Sequence, residues 1–395
     1  VSAARRLHHA LQAGLPETVL PLARQAADEA VRAADHRQAA TLYALALAHA
    51  EGAPLATRAG LAERQAHACR LANQIDAAID AHQQALALRE QQADVVGQGV
   101  NHRELARLLW LRGRIEPAMP HAEQAVALLT GQGAARELAM AHAALSQLLQ
   151  LAEDPVAALA WGRSGLALAE PLGDAEALAY TLNSAACAEL CTADSASAWA
   201  QLARSRKLAL DHGLDEQAAR ASINLPTLAL LDRRLADALR WCEDGLAFCV
   251  ARDLDLYTGR LKLRQLHALL EAGRWAEVDT GLAALQSLSN GTPLEREQAH
   301  HVAMLLALRR GEAAAQPYWQ AMCHGVQRLS ISPLHAPLAV SCAEAAWLAG
   351  DHAQVARIVA EAWPGAVRQQ APWYVGQLAC WWRRVGVPVP AFTIT

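Results

Sequence analysis

Apolar residues recur along this chain three and four positions apart, the spacing of one face of an α-helix. The stretch 105–129 shows this pattern twice, once on each side of a short turn. Its apolar positions are Leu105, Leu108, Leu109, Ile115, Ala118, Ala122, Ala125, Val126 and Leu129. Runs of Val and Ile alternating with polar residues, which would indicate strands, are missing from the sequence. The pattern therefore predicts an all-α protein.

The predicted helices are separated by short turns that return about every 40 residues. From Asn73 to Gly273 there are five steps of 40 residues, and the next two steps, to Gly311 and Gly350, are 38 and 39 residues. The turns span 34–36, 72–74, 112–114, 153–155, 193–195, 232–234, 272–274, 310–312 and 349–351. A fixed period of this size is typical of stacked two-helix units, because one unit cannot bury its apolar face without its neighbours.

We therefore predict an α-solenoid, a right-handed superhelix of about nine helix-turn-helix repeats of about 40 residues. A leading helix is expected in 1–15, the repeats in 16–370, and a capping helix with a loose tail in 371–395. The predicted pairs cover 16–51, 55–91, 94–131, 134–170, 174–211, 214–251, 254–289, 292–328 and 333–365.

Small residues recur where the two helices of a pair must approach closely, at Ala118, Ala158, Ala198 and Ala238. Proline and aspartate recur where first helices are expected to begin, because both suit the unbonded amides of a helix N-terminus. One proline breaks this rule: Pro226 lies inside a predicted first helix and is expected to bend or interrupt it.

Charge and cysteine usage disfavour several classes of function. The net charge is −4 with scattered charges, so the basic excess typical of proteins that bind nucleic acid or anionic membranes is absent. The eight cysteines lack a Cys-x-x-Cys motif and lie among apolar positions; Cys187 and Cys191 could share a helix face, but core packing is the favoured interpretation. No signal-peptide-like start and no transmembrane-length uncharged stretch is present, which predicts a soluble, cytoplasmic protein.

The chemistry-bearing residues do not form a reaction site in the sequence. The 16 histidines are dispersed along the repeats, and the carboxylates are spread over turns and predicted solvent faces. We therefore predict a non-catalytic protein with no cofactor and no metal site.

A binding surface is the better candidate, because one side of each first helix lines the concave face of such a stack. Counting back from each turn marks the positions that should face this groove. The predicted ligand- or peptide-binding residues are Glu63, His67, Arg70, Arg103, Arg107, Trp110, Gln147, Tyr180, Asn183, Arg220, His267, His301, Glu344 and Trp347.

Arg103, Arg107 and Trp110 form the densest local cluster on this face, at positions i, i+4 and i+7. Two guanidinium groups could grip a carboxylate or phosphate while the indole offers a stacking surface. The alternative is two solvated arginines beside an aromatic side chain that packs on the next repeat.

The turn, followed by Ala and later by an Ala-Leu-x-Leu pattern, resembles the tetratricopeptide (TPR) repeat. The longer unit, seen in 105–114, 161–169 and 345–351, resembles the sensor arm of the large MalT-like regulators, in which an ATPase module precedes a TPR superhelix and a LuxR-type helix-turn-helix often follows. The resemblance implies a protein or peptide partner, or a small-molecule inducer, in the concave groove.

Neither a Walker A motif nor a helix-turn-helix sequence occurs in these residues. The chain is thus expected to be the sensor portion of a transcriptional regulator or signalling ATPase, with no direct contact to nucleic acid. The alternative is a free-standing TPR scaffold or peptide receptor that mediates protein–protein interaction.

Overall fold

The computed structural model describes residues 2–151, 154–189, 196–286, 293–313, 315–325, 335–368 and 372–391. Within these ranges the chain forms twenty α-helices and no strand. The first ten are α1 (Ala3–Gln12), α2 (Pro16–Arg32), α3 (His36–Ala48), α4 (Leu55–Leu71), α5 (Ile75–Gln91), α6 (Val95–Leu111), α7 (Ile115–Leu129), α8 (Ala135–Leu151), α9 (Pro155–Ala169) and α10 (Ala175–Glu189). The remaining ten are α11 (Ala196–Asp211), α12 (Asp215–Leu231), α13 (Leu235–Val250), α14 (Asp255–Glu271), α15 (Trp275–Gln286), α16 (Pro293–Arg309), α17 (Ala315–Gly325), α18 (His335–Leu348), α19 (His352–Arg368) and α20 (Pro372–Arg384). None of the described helices combines the length and the apolarity that crossing a membrane would need.

The helices pack in chain order as a stack of antiparallel pairs. From α2 to α19, each even-numbered helix is the first of a pair and the next odd-numbered helix is the second. Even-numbered helices also contact one another, as α6, α8, α10, α12, α14 and α16 do in sequence, and these helices line the inner side of the stack. The all-α solenoid predicted from the 40-residue period is confirmed.

In the described turns that follow first helices, one residue adopts the left-handed region. Glycine fills this position in several repeats, with φ of +76° at Gly113 and +74° at Gly273. Elsewhere a larger residue tolerates it, as Ala34 (+59°) and Arg233 (+59°) do. The next amide then donates to the carbonyl five residues back, for example from Arg114 to Leu109 at 2.9 Å, closing the helix end. The predicted turn residues 153 and 193–195 lie outside the described residues.

The alanines of the pair seams are fully enclosed: Ala118, Ala158, Ala198 and Ala238 each have 0% exposure. Their small side chains let the paired helices come close, as the sequence predicts. Pro226 does not interrupt its helix as predicted, because α12 runs without a break from Asp215 to Leu231. The ring is buried in the packed interior, where tertiary contacts hold the helix together despite the missing amide donor.

The stack curves until its early and late repeats touch. Leu71 and Leu108, on α4 and α6, belong to the same buried apolar cluster as Leu254 and Tyr257 at the start of α14. At the outer edge of this contact, Arg37 Nε donates to Asp255 Oδ2 at 3.2 Å, across 218 residues of sequence. The concave groove predicted from the sequence is therefore bridged between its early and late repeats, because the small rotation between successive pairs accumulates until first helices face one another.

Candidate ligand-binding cavity

A cavity of about 250 Å³ lies on the inner side of the stack, among α4, α6, α8, α10 and α12. Its walls are mostly charged, with two apolar side chains and one aromatic ring. The lining residues are Glu63, His67, Arg70, His82, Val100, Arg103, Glu104, Arg107, Arg136, Glu137, Met140, Glu176, Tyr180, Glu216 and Gln217. The first helices of five successive repeats thus converge on one partly open cavity.

Six of the residues that the sequence predicts for the concave face line this cavity. They are Glu63, His67, Arg70, Arg103, Arg107 and Tyr180. Positions three, four and seven apart lie on one side of a helix, so the inward face of α4 supplies the first three and that of α6 the next two. The spacing argument thus brings these six together, and their role in binding remains a prediction.

The carboxylate that forms an ion pair with Arg107 is Glu216, a residue of the same chain. Glu216, at the start of α12, forms an ion pair with Arg107 Nη2 at 2.9 Å and accepts a hydrogen bond from Arg70 Nη2 at 3.0 Å. The Tyr257 hydroxyl donates to Glu216 Oε1 and accepts from Arg107 Nη2, both at 2.8 Å. Burial alone would raise the pKa of Glu216, but Arg70 and Arg107 hold it well below its ordinary value. The solvated arginines considered for this face are therefore excluded, since both Arg103 and Arg107 are buried.

Arg103 is only partly satisfied. Its side chain is 7% exposed, and its Nη2 lies 2.9 Å from Glu104 Oε1 and 3.8 Å from Glu137 Oε2. Its Nε and Nη1 are buried and have no hydrogen-bond partner among the described residues. Arg70 Nε and Glu104 Oε2 likewise have no hydrogen-bond partner among the described residues, and they form a long ion pair with each other at 3.9 Å. Although burial opposes it, Arg103, Arg70 and Arg107 lower the pKa of Glu104 to about 2, so this carboxylate is ionised.

Tyr180 forms an aromatic wall with a cation on its face. The guanidinium carbon of Arg220 lies 3.9 Å from the ring centroid, and that of Arg103 lies 5.8 Å away. Arg220 also donates to Gln217 Oε1 at 3.2 Å and Ser184 Oγ at 3.5 Å. Its hydrogen bonds in the described part of the chain go to neutral oxygens, and burial lowers its pKa.

The outer rim of the cavity is a separate set of ion pairs. Arg136 on α8 bonds Glu137, Asp174 Oδ2 at 3.1 Å and Glu176 Oε2 at 2.5 Å. Glu63 accepts two hydrogen bonds, of 2.9 and 2.8 Å, from Arg89 on α5. These carboxylates are already bonded by rim arginines, and several of them are partly exposed to solvent.

Three predicted residues lie near the cavity without lining it. The guanidinium carbon of Arg260 lies over the Trp110 ring, 5.0 Å from the ring centroid. Asn183 is buried and accepts a 3.0 Å hydrogen bond from Asn224 Nδ2. Gln147 is half-buried on α8. The Trp110 ring is half-buried and has the Arg260 side chain of α14 on it, and its role as a stacking surface beside Arg103 and Arg107 remains a prediction.

Four further predicted residues lie on α14, α16 and α18, in later repeats. Glu344 accepts from Arg309 Nε at 2.9 Å, and Trp347 stacks on His352 with ring centroids 4.9 Å apart. Burial lowers the pKa of both His267 and His301 to about 4. The predicted face is thus divided between a cavity in the early repeats and structural contacts in the late ones.

Several cavity residues were missed by counting back from the turns. Glu137, Glu176 and Glu216 occupy the first turns of α8, α10 and α12, at steps of 39 and 40 residues. In the sequence such acids read only as favourable partners of the helix dipole. Their repeat spacing is the signal that could have placed them on one inner surface. His82 comes from a second helix, and no spacing in the sequence singles it out.

No protein-family model matches this chain, and no curated protein matches it significantly. Solved structures do match. A signal transduction ATPase with numerous domains (STAND) with a TPR sensor, from Pyrococcus horikoshii, is 11% identical with a TM-score of 0.51, and the match covers 87% of this chain and 52% of that one. The chain thus spans about half the length of that STAND protein.

Two other matches are weaker in geometry. A Rap protein complexed with competence and sporulation factor is 15% identical with a TM-score of 0.48, covering 76% of this chain and 98% of that one. BtubC from P. vanneervenii is 18% identical with a TM-score of 0.42, covering 54% and 90%. Identities this low concern the fold alone. The helix order, the pairwise packing and the STAND match together show that this chain is a TPR-like helical solenoid.

Proposed function

We propose that this chain is a non-catalytic, ligand-binding sensor domain of a bacterial transcriptional regulator or signalling ATPase, and that its ligand enters the cavity between α4 and α12. The observation that carries the proposal is Arg103, a buried cation in the cavity wall whose Nε and Nη1 have no hydrogen-bond partner among the described residues. A buried donor without a partner costs about 1–3 kcal/mol, which a bound acceptor would recover. The TPR sensor named in the STAND structure has a comparable fold.

A small molecule suits this cavity better than a peptide. The volume of about 250 Å³ is below the usual range of sites for drug-sized ligands. The Arg70–Glu216 pair also joins α4 to α12 across the inner side, where an extended peptide would have to pass. A ligand at this junction contacts helices from both sides of the curve, so binding would change how firmly they are held together.

The proposal is tested by thermal melting of the purified chain with a bacterial extract split at 1 kDa. We expect the small-molecule fraction to raise the melting temperature, because a ligand at 100 times its Kd stabilises the folded state by about 2.7 kcal/mol. Arg103→Gln should abolish the shift. Arg204→Gln, which removes an exposed arginine on α11, should retain it.

A shift produced only by the protein fraction would contradict the sensor and favour a scaffold or peptide receptor. Equal shifts for Arg103→Gln and the wild type would remove this cavity as the site. Coding sequence for a Walker A module in the same reading frame would favour the ATPase-linked form of the proposal.

A further inference from the structure

Three arginines on the inner side of the stack do not line the cavity and have no carboxylate partner. They are Arg220 on α12 and Arg260 and Arg264 on α14, and we call them the α12–α14 arginines. None of them forms an ion pair in the described part of the chain. Burial lowers the pKa of all three, that of Arg260 to about 10.

Arg264 has the plainest lack of a counterion. Its Nε donates to Thr227 Oγ1 at 3.0 Å, and its other two nitrogens have no hydrogen-bond partner among the described residues. Besides burial, the groups that act on its pKa are Cys242 and Tyr374. Burial raises the pKa of each of these two groups to about 12, so neither is ionised at neutral pH. No acidic residue of the described chain therefore balances the charge of Arg264.

The acids that act on Arg260 and Arg220 are engaged elsewhere. Glu295 acts on Arg260 from beyond ion-pairing distance, and it accepts a hydrogen bond from Asn73 Nδ2 at 3.1 Å. Glu216 acts on Arg220, but it is held by the two arginines of the cavity network. The missing counterion is thus a property of each side chain taken singly, wherever the edge of the set is drawn.

The free N–H groups of Arg260 and Arg264 can be reached from solvent. Both side chains are half-buried, and none of their nitrogens is a buried atom without a partner. Arg260 makes no hydrogen bond among the described residues, so its whole set of N–H donors is available to a ligand. Arg264 keeps both terminal nitrogens available beside its bond to Thr227.

The two guanidinium groups of α14 are held toward different neighbours. Arg260 and Arg264 stand one turn apart, about 6 Å along the helix. Arg260 reaches the Trp110 ring on α6, whereas Arg264 reaches Thr227 on α12. One oxyanion group pairs bidentately with one guanidinium. Two guanidinium groups held apart therefore favour a ligand that has two such groups.

We propose that the α12–α14 arginines bind a small anion that carries at least two oxyanion groups, at a second site beside the cavity. Polycarboxylates and oligophosphates share this chemistry. The ligand is small because α14 faces α6 across the inner side at this point, with Arg260 lying over Trp110. This site is separate from the one in the proposed function, and either can exist without the other.

The empty site should lower the stability of the protein, because burial disfavours a charged guanidinium that has no counterion. Arg264→Gln removes such a charge and strands no carboxylate. Without an anion, its melting temperature should therefore equal or exceed that of the wild type. A saturating anion should reverse this order, because it stabilises the protein that binds it.

The test is calorimetric titration of the full chain at neutral pH with citrate, pyrophosphate and acetate, at one fixed ionic strength. We expect citrate or pyrophosphate to bind, the tighter of the two identifying the class, and acetate to show no binding. Arg264→Gln and Arg260→Gln should each weaken the tighter anion at least tenfold. Arg204→Gln, which removes an exposed arginine on α11, should leave that affinity unchanged. Circular dichroism checks that each variant is folded.

If Arg264→Gln fails to fold, Arg260→Gln carries the test alone. Failure of both citrate and pyrophosphate to bind the wild type would overturn the proposal, as would equal affinity in the wild type and the folded variants. Acetate binding as tightly as citrate would overturn it too, because one oxyanion group would then suffice. Loss of binding in Arg103→Gln but not in Arg264→Gln would place the anion in the cavity and remove the second site. The extract experiment tests the cavity by itself, so the two proposals fail separately.

Discussion

At the scale of single residues, the sequence predicted where inward side chains stand better than what they contact. Helical spacing brought Arg70, Arg103 and Arg107 to one surface because those intervals are fixed by local geometry. Their partner Glu216 lies 146 residues from Arg70, and no local rule could pair them. All three arginines are engaged by carboxylates of the protein itself, and Arg103 keeps two donor nitrogens without a hydrogen-bond partner among the described residues, against one for Arg70.

Tyr257 tests how firmly the internal carboxylate is held. It is 1% exposed, and its hydroxyl bonds both Arg107 and Glu216 at 2.8 Å. Tyr257→Phe should lower the free energy of unfolding by about 1–3 kcal/mol, because it removes hydrogen bonds to charged groups. Tyr374→Phe is the control, since no side-chain hydrogen bond of its hydroxyl occurs among the described residues. Denaturant unfolding measures both, and equal values for the two variants would show that the buried network contributes nothing.

The late repeats predict a specific pH dependence. Burial lowers the pKa of His267 and His301 to about 4, below the ordinary value of 6.5, so the folded state binds fewer protons than the unfolded one between these values. Stability should be fully present above pH 6.5 and fall as the pH drops towards 4. Glu104, with its pKa lowered to about 2, loses its contribution only below pH 4.5.

Melting temperatures measured between pH 7 and 4.5 report the histidines, because Glu104 keeps its contribution to stability down to pH 4.5. The double variant His267→Gln and His301→Gln should make the fall across this range shallower while keeping the same helicity, and His67, whose pKa burial also lowers to about 4, accounts for part of the fall that remains. An unchanged slope in the double variant would contradict the assignment to these histidines.

At the scale of helices and turns, the sequence was most informative. The period of 40 residues predicted the pair architecture because each turn needs a residue that accepts a left-handed conformation, and glycine, alanine or asparagine recurs there. Pro226 shows the limit of local rules. Proline lowers the stability of an isolated helix, but contacts with neighbouring helices carry α12 through it.

Substitutions at two left-handed turn residues should change the free energy of unfolding in opposite directions. Gly273→Ala places a side chain at φ +74° with no steric contact, so it should cost about 1 kcal/mol from backbone strain alone. Ala34→Gly relieves the same strain at φ +59° and should raise stability by a similar amount. Gly52→Ala, at a turn residue without positive φ, is the control and should be neutral or slightly stabilising. A loss of stability in both Ala34→Gly and Gly273→Ala would contradict this account of the turn.

At the scale of the whole molecule, the closure of the curve was beyond the sequence. A small rotation between pairs leaves no mark in any single repeat, yet its sum decides whether the inner face is open or bridged. The cavity exists because α4 and α6 meet α12 and α14, and the apolar cluster that joins them spans residues far apart in the chain. The predicted concave groove and the observed cavity therefore differ although the described helices pair in chain order as predicted.

Zero-length cross-linking tests this closure most directly. The chain has two lysines, Lys207 and Lys262, so Arg37→Lys adds one new amine that faces Asp255 in the folded protein. Carbodiimide treatment of the monomer should yield a linked peptide pair containing residues 37 and 255, identified by mass spectrometry. The Lys207–Asp211 pair, 2.6 Å apart on one helix, supplies the internal positive control. Recovery of the 37–255 link confirms that the solenoid closes on itself, whereas recovery of the 207–211 link alone would contradict it.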